Sequence, residues 1–144
     1  MTNDEIRAFL DRFRQAWERQ DIAALAGCYA DDCVVVSPMF STLKGRSQVE
    51  KSYTDLIKAF HTEQVKVEDI VIGNDDPPRA VILWHLESTH VGEVFGLPPS
   101  GKRIERTVAF ILTLRDGQIT KETRIYDFTS LLMQLGALRA KMAR

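Results

Sequence analysis

Three polar side chains in the second half of the sequence, His90, Arg106 and Asp127, could carry out acid–base chemistry. A neutral histidine can relay a proton or donate a hydrogen bond near neutral pH. A buried aspartate can act as a general base, with a pKa that burial raises and a neighbouring arginine lowers. If the three converge, we expect Asp127 to be the base, His90 the proton relay and Arg106 the charge partner. Each also has a structural interpretation, because Asp127 can cap the closing helix or simply pair with Arg106, and His90 can hold the chain corner that follows it.

Arg124 is a fourth candidate catalytic residue. If a β-bulge turns it inward, it can bind a carboxylate or an enolate oxygen; otherwise it forms an exposed cross-strand ladder with Glu122 and its neighbours. His61 lies in a polar stretch and His85 is expected to face outward, so solvent-exposed or interface positions are predicted for both. Three histidines this scattered, without clustered acids, predict no metal site.

The elements that must position these residues begin with helices. Thr2 and Glu5 have the spacing of a capping box, and the residues that follow them place apolar side chains on one helical face. Asp21 can cap a short second helix, and "KGRSQVEKSYTDLIKAF" predicts a third. The segment "CVVVSP" predicts a strand that stops at its proline. "TSLLMQLGALRAKMAR" closes the chain as a helix capped by Thr129 or Ser130.

The remaining segments alternate with the period of strands and form an antiparallel meander. The Asp116–Gly117 pair predicts a two-residue hairpin. With a plain turn, Phe110 pairs with Thr123, and Arg106 forms an ion pair with Asp127 at one end of the inner face. The inner face of the last hairpin then carries Arg106, Val108, Phe110, Leu112, Leu114, Ile119, Lys121, Thr123, Ile125 and Asp127, and the strand before it contributes Ile82, Trp84, Leu86, Ser88 and His90. A bulge in the hairpin would exchange the two faces.

Helices followed by a meander of strands predict an α+β fold, in which helices cover one face of a curved sheet. The chain has 144 residues, 44% of them hydrophobic, and a net charge of −1, which predicts a single domain over residues 1–144. No lysine or arginine block indicates a nucleic-acid partner, and no apolar run approaches the roughly 20 residues that span a bilayer. The two cysteines, Cys28 and Cys33, suggest neither a disulfide framework nor a zinc site, and are expected to be thiols in the cytoplasm.

Two stretches resemble a known family. "THVGEVFGLPPSGKRI", followed by "RDGQITKETRIYDFTSLLMQLG", is similar to the T-H-x-G…G-x-P-P-T-G-K and D-G-K-I…D…Q-L-G patterns of the SnoaL-like polyketide cyclases. Trp17, Asp21, Leu25 and "YADD" in the first half resemble the wider nuclear transport factor 2-like superfamily. The resemblance implies a cone-shaped α+β barrel, in which a strongly bent antiparallel sheet wraps N-terminal helices and a pocket, with a C-terminal helix. It also implies a homodimer that packs through the sheet, and an enzyme that uses neither a metal nor an organic cofactor.

The sequence departs from the family at its catalytic positions. The acid–base Asp and His that the resemblance implies fall on Arg124 and Phe110, which cannot exchange protons at neutral pH. In the steroid isomerase branch, the position of the base is Ser37. The leading hypothesis is therefore a cofactor-independent acid–base enzyme, an aldol cyclase, dehydratase or isomerase, acting on an apolar carbonyl or polyketide-like substrate. The alternative is a non-catalytic ligand-binding or dimerisation module that has lost the cyclase Asp/His pair.

A small apolar molecule is the expected ligand, because a mostly apolar concavity with a few convergent polar groups is typical of a small-molecule site. We predict that about half of the aromatic candidates contact it. The predicted lining residues are Trp17, Met39, Phe40, Tyr53, Trp84, Phe110 and Thr123. The glycines and prolines of "GLPPSG" predict a stiff flap at the mouth of the pocket or at the dimer interface.

Overall fold

A computed structural model describes residues 1–139, so residues 140–144 of the predicted closing helix lie outside the described part of the chain. In order, the elements are α1 (Asn3–Arg19), α2 (Ile22–Gly27), β1 (Tyr29–Ser37), β2 (Ser41–Lys44), α3 (Arg46–Ala59), β3 (Phe60–Gly73), β4 (Arg79–His90), β5 (Arg103–Arg115), β6 (Gln118–Ile125) and α4 (Phe128–Leu135). The strands form one sheet in the order β2-β1-β6-β5-β4-β3, with β1 and β6 parallel and the other neighbours antiparallel. This curled, unclosed sheet around helices confirms the α+β cone. The short strand β2 was not predicted.

Side-chain caps fix where α1, α2 and α4 begin. The Thr2 hydroxyl accepts a hydrogen bond from the Glu5 backbone N–H at 3.1 Å, and the Glu5 carboxylate accepts one from the Thr2 N–H at 2.8 Å. Asp21 caps α2 as predicted. The cap of α4 is Asp127, whose carboxylate accepts from the Ser130 N–H at 2.9 Å, and not one of the two predicted hydroxyls. Among residues 1–139, no helix combines the length and the apolar character needed to cross a membrane.

Aromatic rings fill the interior of the cone. The Trp84 ring on β4 lies 5.7 Å from that of Phe13, 5.4 Å from that of Trp17 and 5.0 Å from that of Phe110. Tyr53 on α3 continues the cluster, edge-on to Trp17 at 5.4 Å. The Phe13–Trp84 pair is stacked and the other three are edge-to-face, and both arrangements add to the stabilisation that burial of the rings provides. Because these rings occupy the centre of the cone, the expectation of a pocket at its centre is wrong. Space for a ligand lies towards the open end of the cone.

A one-residue bulge in β6 decides which of its side chains face the interior. The Asp116–Gly117 turn forms as predicted, with positive φ at both residues. After the first pairs, however, the register shifts, and Thr113 pairs with Lys121. Thr120 is the extra residue, and its hydroxyl donates to the Thr113 carbonyl at 3.2 Å. Every residue of β6 beyond Thr120 therefore faces opposite to the plain-turn expectation.

The bulge corrects the predicted register of the last hairpin. Phe110 pairs with Arg124 and not with Thr123. Glu122 and Arg124 point inward and are buried, whereas Thr123 lies on the outer face. The predicted Arg106–Asp127 pair does not form, because the shift of one residue removes the register on which it depended.

The corner between β4 and β5 is held against the end of α3. The backbone N–H groups of Val91 and Gly92 both donate to the Ala59 carbonyl, at 2.9 and 3.1 Å. A Cβ at Gly92 would overlap the carbonyl oxygen of Lys58, so only glycine permits this approach. The corner is thereby fixed at the open end of the cone, beside the space described next.

Candidate active site

A cleft of about 370 Å³ lies at the open end of the cone. The segment after β1 forms one wall with Met39 and Phe40, the last turns of α3 form another, and the corner forms a third with Glu93, Val94 and Phe95. Its volume falls within the range of pockets that bind small molecules. These three residues precede the predicted flap "GLPPSG" (residues 96–101), none of whose residues lines the cleft, so the position of the flap stays a prediction.

A much smaller inner pocket, of about 20 Å³, adjoins the cleft and shares Met39, Phe40 and Leu56 with it. This volume exceeds the roughly 10–15 Å³ that one water molecule requires, but it is far smaller than a ring system. Trp17, Phe110 and other apolar groups form most of its wall, and the charged residues among its described walls are Arg106 and Arg124. With Met39 in this position, the inner pocket can therefore receive one small polar group, while the bulk of a ligand lies in the cleft.

Arg124 is held rigidly in the wall of the inner pocket. Its Nε donates to Glu122 Oε2 at 2.7 Å, and its Nη2 donates to the Tyr53 hydroxyl at 3.2 Å. The Tyr29 hydroxyl donates to Glu122 Oε1 at 2.7 Å and lies 2.6 Å from the Tyr53 hydroxyl. The guanidinium carbon is 5.2 Å from the ring centroid of Tyr53 and 5.1 Å from that of Phe110, both within the range of cation–π attraction. Both oxygens of the buried Glu122 carboxylate thus have partners.

Burial and mutual charge set the protonation of this network. Burial by itself lowers the pKa of Arg124, but the adjacent Glu122 carboxylate and the two tyrosine hydroxyls raise that pKa well above its ordinary value. Burial, followed by the Glu122 charge, raises the pKa of Tyr29 far above its usual value. Burial also raises the pKa of Tyr53. Near neutral pH Arg124 is therefore a permanent cation, and the hydroxyls of Tyr29 and Tyr53 are neutral.

Arg106 supplies the second guanidinium of the inner pocket from β5. Its Nη1 is buried and has no hydrogen-bond partner within residues 1–139. The guanidinium lies 5.7 Å from the ring centroid of Tyr126. Burial and the like charge of Arg124 lower the pKa of Arg106, although the Tyr126 hydroxyl acts in the opposite direction. The prediction that Arg106 faces inward at the polar end of the cone is confirmed.

Asp127 does not face the pocket. It is exposed, precedes α4, and uses its carboxylate to cap that helix. This placement matches the structural interpretation of Asp127 and leaves it away from Arg106. The expected convergence of Asp127, Arg106 and His90 is therefore wrong, because the bulge and the cap direct Asp127 outward.

His90 is completely buried on the inner face of β4, as alternation predicted, but it serves the corner. Its Nδ1 lies 2.8 Å from the Ser100 hydroxyl, and its backbone carbonyl accepts from the Gly101 N–H at 2.9 Å. Its ring lies against Phe60, 5.7 Å between centroids, and its Nε2 has no partner in the described chain. His90 does not line the cleft or the inner pocket.

Four of the predicted lining residues border one or both spaces: Trp17 and Phe110 the inner pocket, and Met39 and Phe40 both of them. Tyr53 instead belongs to the Arg124 network. Trp84 is buried in the aromatic core, and Thr123 lies on the outer face; neither borders the cleft or the inner pocket.

Sequence reasoning missed the residues that surround Arg124 and allow it to be buried. Tyr29 was not a candidate, Glu122 was expected to be exposed unless a bulge formed, and Tyr126 was placed on the outer face. The available signal was the pair Glu122–Arg124 itself, since two charges spaced by two residues share one face of a strand. Placing that pair inside required knowledge of the bulge at Thr120.

On the outer face of the sheet, His85, Glu87 and Glu105 have possible ligand atoms within 4.8 Å of one another. Scattered histidines in the sequence had indicated no such group. Glu87 also pairs with Arg103 at 3.0 Å, and the His85 Nδ1 lies 3.1 Å from the Thr107 hydroxyl. These contacts form a mixed-charge surface cluster on the side of the sheet opposite the inner pocket.

The family model described as SnoaL-like polyketide cyclase matches residues 7–135. The chain belongs to this family. No curated protein matches the sequence. Among solved structures, TsrD from Streptomyces laurentii has a TM-score of 0.80 at 21% identity, covering 96% of this chain and 99% of that one. AclR from Streptomyces galilaeus has a TM-score of 0.82 at 24% identity, covering 96% and 100%.

A protein from Catenulispora acidiphila with a ketosteroid isomerase-like fold, in complex with trimethylamine, has a TM-score of 0.73 at 19% identity. It covers 89% of this chain and 92% of its own. At these identities the likeness shows the fold alone. The chemistry of the inner pocket follows from the residues of this chain.

Proposed function

We propose that this SnoaL-like protein is a cofactor-independent enzyme that promotes carbon-acid chemistry, of the aldol cyclase, dehydratase or isomerase type, on an apolar carbonyl compound. The observation that carries the proposal is Arg124, a buried guanidinium aligned by Glu122 and Tyr53 in the wall of the inner pocket. A buried ion pair is expensive to maintain for stability alone, and such pairs persist where they serve a specific purpose.

Arg124 acts as an electrostatic catalyst in this proposal. The carbonyl of the substrate enters the inner pocket, and its oxygen meets the guanidinium while the apolar body remains in the cleft. Loss of a proton from the adjacent carbon to water in the open cleft converts the carbonyl into an enolate. Because the guanidinium is already oriented and shielded from water, it stabilises the new negative charge without reorganising.

In aldol closure, the enolate carbon attacks a second carbonyl of the same molecule, and the resulting alkoxide takes up a proton. Tyr126 borders the inner pocket, and burial raises the pKa of its hydroxyl, so it is a neutral donor near pH 7. The step is redox-neutral: one carbon–carbon bond forms, one carbon–hydrogen bond breaks, and one oxygen–hydrogen bond forms. Asp127 and His90 keep structural roles.

The test follows hydrogen–deuterium exchange of ethyl benzoylacetate by NMR, because enolate formation exchanges the hydrogen between its two carbonyls. The expected result is acceleration by the wild type and a loss of about 100- to 1,000-fold in Arg124→Gln, the usual cost of removing one oxyanion donor. Lys121→Gln on the exposed face of the same strand is the matched control. Since Arg124→Gln also weakens the fold, Met39→Trp, which narrows the entrance to the inner pocket, is the second variant. Equal exchange in all variants would refute the proposal.

Ligand binding without turnover is the second candidate function, favoured by the small inner pocket and by the structural roles of Asp127 and His90. In that case benzoylacetate esters bind in the cleft, with chemical shift changes at Met39 and Phe40, and no variant alters the exchange rate. The same NMR samples therefore distinguish the two functions.

The proposed assembly is a homodimer that packs through the outer face of the sheet. Pairing places Val71, Val81, Ile111, Thr123 and Val36 in one row across five strands. Val71 is 57% exposed, and Ile125 in the next row is 55% exposed, so apolar side chains extend across the outer face of the sheet, and a contiguous apolar patch marks an interaction surface. Ile125→Glu should convert a dimer to a monomer in analytical ultracentrifugation, and a wild type that sediments as a monomer would exclude this assembly.

The proposed location is the cytoplasm. Cys28 and Cys33 are both free, and the first is half-buried and the second buried, which fits a reducing compartment. Fractionation of cells that produce the protein from its natural gene should recover it with cytoplasmic markers, and recovery outside the cell would contradict this assignment.

A further inference from the structure

The inner pocket contains more positive charge than its own residues compensate. Two guanidiniums border it, those of Arg106 and Arg124, whereas the Glu122 carboxylate forms an ion pair with Arg124 alone. The titratable groups that act on Arg106 are the Tyr126 hydroxyl, which is neutral near pH 7, and the Arg124 cation, and no described carboxylate lies within ion-pair distance of it. The arrangement thus lacks one negative charge next to Arg106.

Two hydrogen-bond donors in this wall also lack partners within residues 1–139. They are the buried Nη1 of Arg106 and the buried indole Nε1 of Trp17, and both residues border the inner pocket. A buried donor without an acceptor is costly, and a buried unpaired charge is more so. Both costs disappear when an anionic oxygen occupies the pocket.

We infer that Arg106 and Trp17 bind a carboxylate of the substrate, so that the substrate class is a keto acid with an apolar, ring-bearing body. A guanidinium and a planar carboxylate match in shape and charge, which gives this pairing its strength. This inference rests on the proposed function, since it names the substrate class of the same pocket. It assigns Arg106 to recognition and leaves Arg124 with the reacting carbonyl.

The side chains that would have to move to admit this ligand can change position at low cost. Met39 and Phe40 separate the inner pocket from the cleft, and neither is fully buried. Methionine is unbranched and adapts its shape at low cost. A carboxylate can therefore reach Arg106 by displacing Met39, while the aromatic core behind the pocket stays in place.

The test compares β-benzoylpropionic acid with its methyl ester, two stable ligands that differ in one negative charge, by isothermal titration calorimetry. In the wild type the acid should bind about 10- to 100-fold more tightly than the ester, the range expected for one charged hydrogen-bonded contact. Arg106→Gln should abolish this preference, so that acid and ester bind with similar affinity. Trp17→Phe, which removes one N–H, should reduce the preference in part.

Arg103→Gln is the matched control, because Arg103 lies on the same strand, is exposed and pairs with Glu87 on the outer face. It should keep the full preference for the acid. A wild type that binds acid and ester equally would overturn the inference, as would a preference that survives in Arg106→Gln.

Failure of the carboxylate site can be distinguished from failure of the proposed function. Ethyl benzoylacetate is an ester without a carboxylate, so a failed acid preference with intact exchange in the wild type would refute the carboxylate site alone. Thermal unfolding supplies a further check. Arg106→Met removes an unpaired buried charge and should leave the midpoint equal or higher, whereas a large decrease would show that Arg106 has a structural partner and would overturn the inference.

Discussion

Replacement of Glu122 by glutamine tests whether β6 has the bulged register. Glu122 is fully buried and Arg124 has a side chain 4% exposed, so Glu122→Gln leaves a guanidinium buried without its counter-charge. Removing one partner of a buried ion pair lowers the free energy of unfolding by about 3–5 kcal/mol. For a domain of this length, at roughly 3 °C per kcal/mol, the midpoint of thermal unfolding should fall by about 10–15 °C.

The assays are thermal unfolding, which gives the midpoint, and urea unfolding, which gives the free energy, both followed by circular dichroism. The slopes against urea concentration are compared to confirm that the same surface is exposed. Arg103→Gln is the control, because it breaks an ion pair of 3.0 Å on the outer face, where Arg103 is 67% exposed. An exposed pair contributes about 0–1 kcal/mol. The double variant Glu122→Leu/Arg124→Met should recover most of the stability, since apolar groups of similar size replace buried pairs at little cost.

A plain two-residue hairpin would place Glu122 and Arg124 on the outer face. Glu122→Gln would then cost no more than Arg103→Gln, and the double variant would expose two apolar groups instead of burying them. Such a result would refute the bulge at Thr120 and, with it, the position of Arg124 in the inner pocket.

Three further outcomes are expected. Gly92→Ala should destabilise the protein strongly, because its Cβ would overlap the Lys58 carbonyl. Gly96→Ala, at a positive φ in open space, should cost only about 1 kcal/mol of the free energy of unfolding. Equal losses of the two variants in urea unfolding would contradict the close contact between the corner and α3. Asp127→Asn should retain the helix cap, the exchange activity and the stability. Asp127→Ala should lower the free energy of unfolding by about 1 kcal/mol and leave the exchange activity unchanged. Loss of exchange in Asp127→Asn would show instead that Asp127 is the base. Burial raises the pKa of the Cys28 thiol from 9.0 to about 11, so the unfolded chain loses this proton first and the free energy of unfolding should fall as pH rises from about 9 to about 11. Cys28→Ala should make that fall shallower in unfolding experiments under reducing conditions, and identical slopes would count against the buried thiol.

Local sequence signals predicted the elements whose determinants are close together in the chain. The capping box of Thr2 and Glu5 needs four residues, and the cap at Asp21 needs a similar span. Alternation assigned the inner faces of β4 and β5 correctly, because one side of each strand is almost entirely apolar. Both alternatives for His90 were visible in the sequence, and the contact with Ser100, ten residues away, selects the structural one.

The candidate site could not be predicted because its determinants are distant in sequence. Nothing in the residue type of Thr120 indicates an insertion into the ladder, and the plain register gave a plausible inner face. The inward position of Glu122 becomes favourable only through Tyr29 and Arg124, and Tyr29 is separated from Glu122 by 93 positions. The resemblance identified the family and fold, but it could not supply a mechanism, since its acid–base positions are occupied by Arg124 and Phe110.

The central claim is that the inner pocket stabilises an enolate through Arg124, and the most direct test is the pKa of a bound carbon acid. Benzoylacetone changes its ultraviolet spectrum when it forms an enolate, so its pKa can be titrated free in solution and in complex with excess protein. We expect a pKa at least one unit lower in the wild-type complex than in water, with the difference lost in Arg124→Gln and retained in Lys121→Gln. A bound pKa equal to or higher than that in water would contradict the central claim.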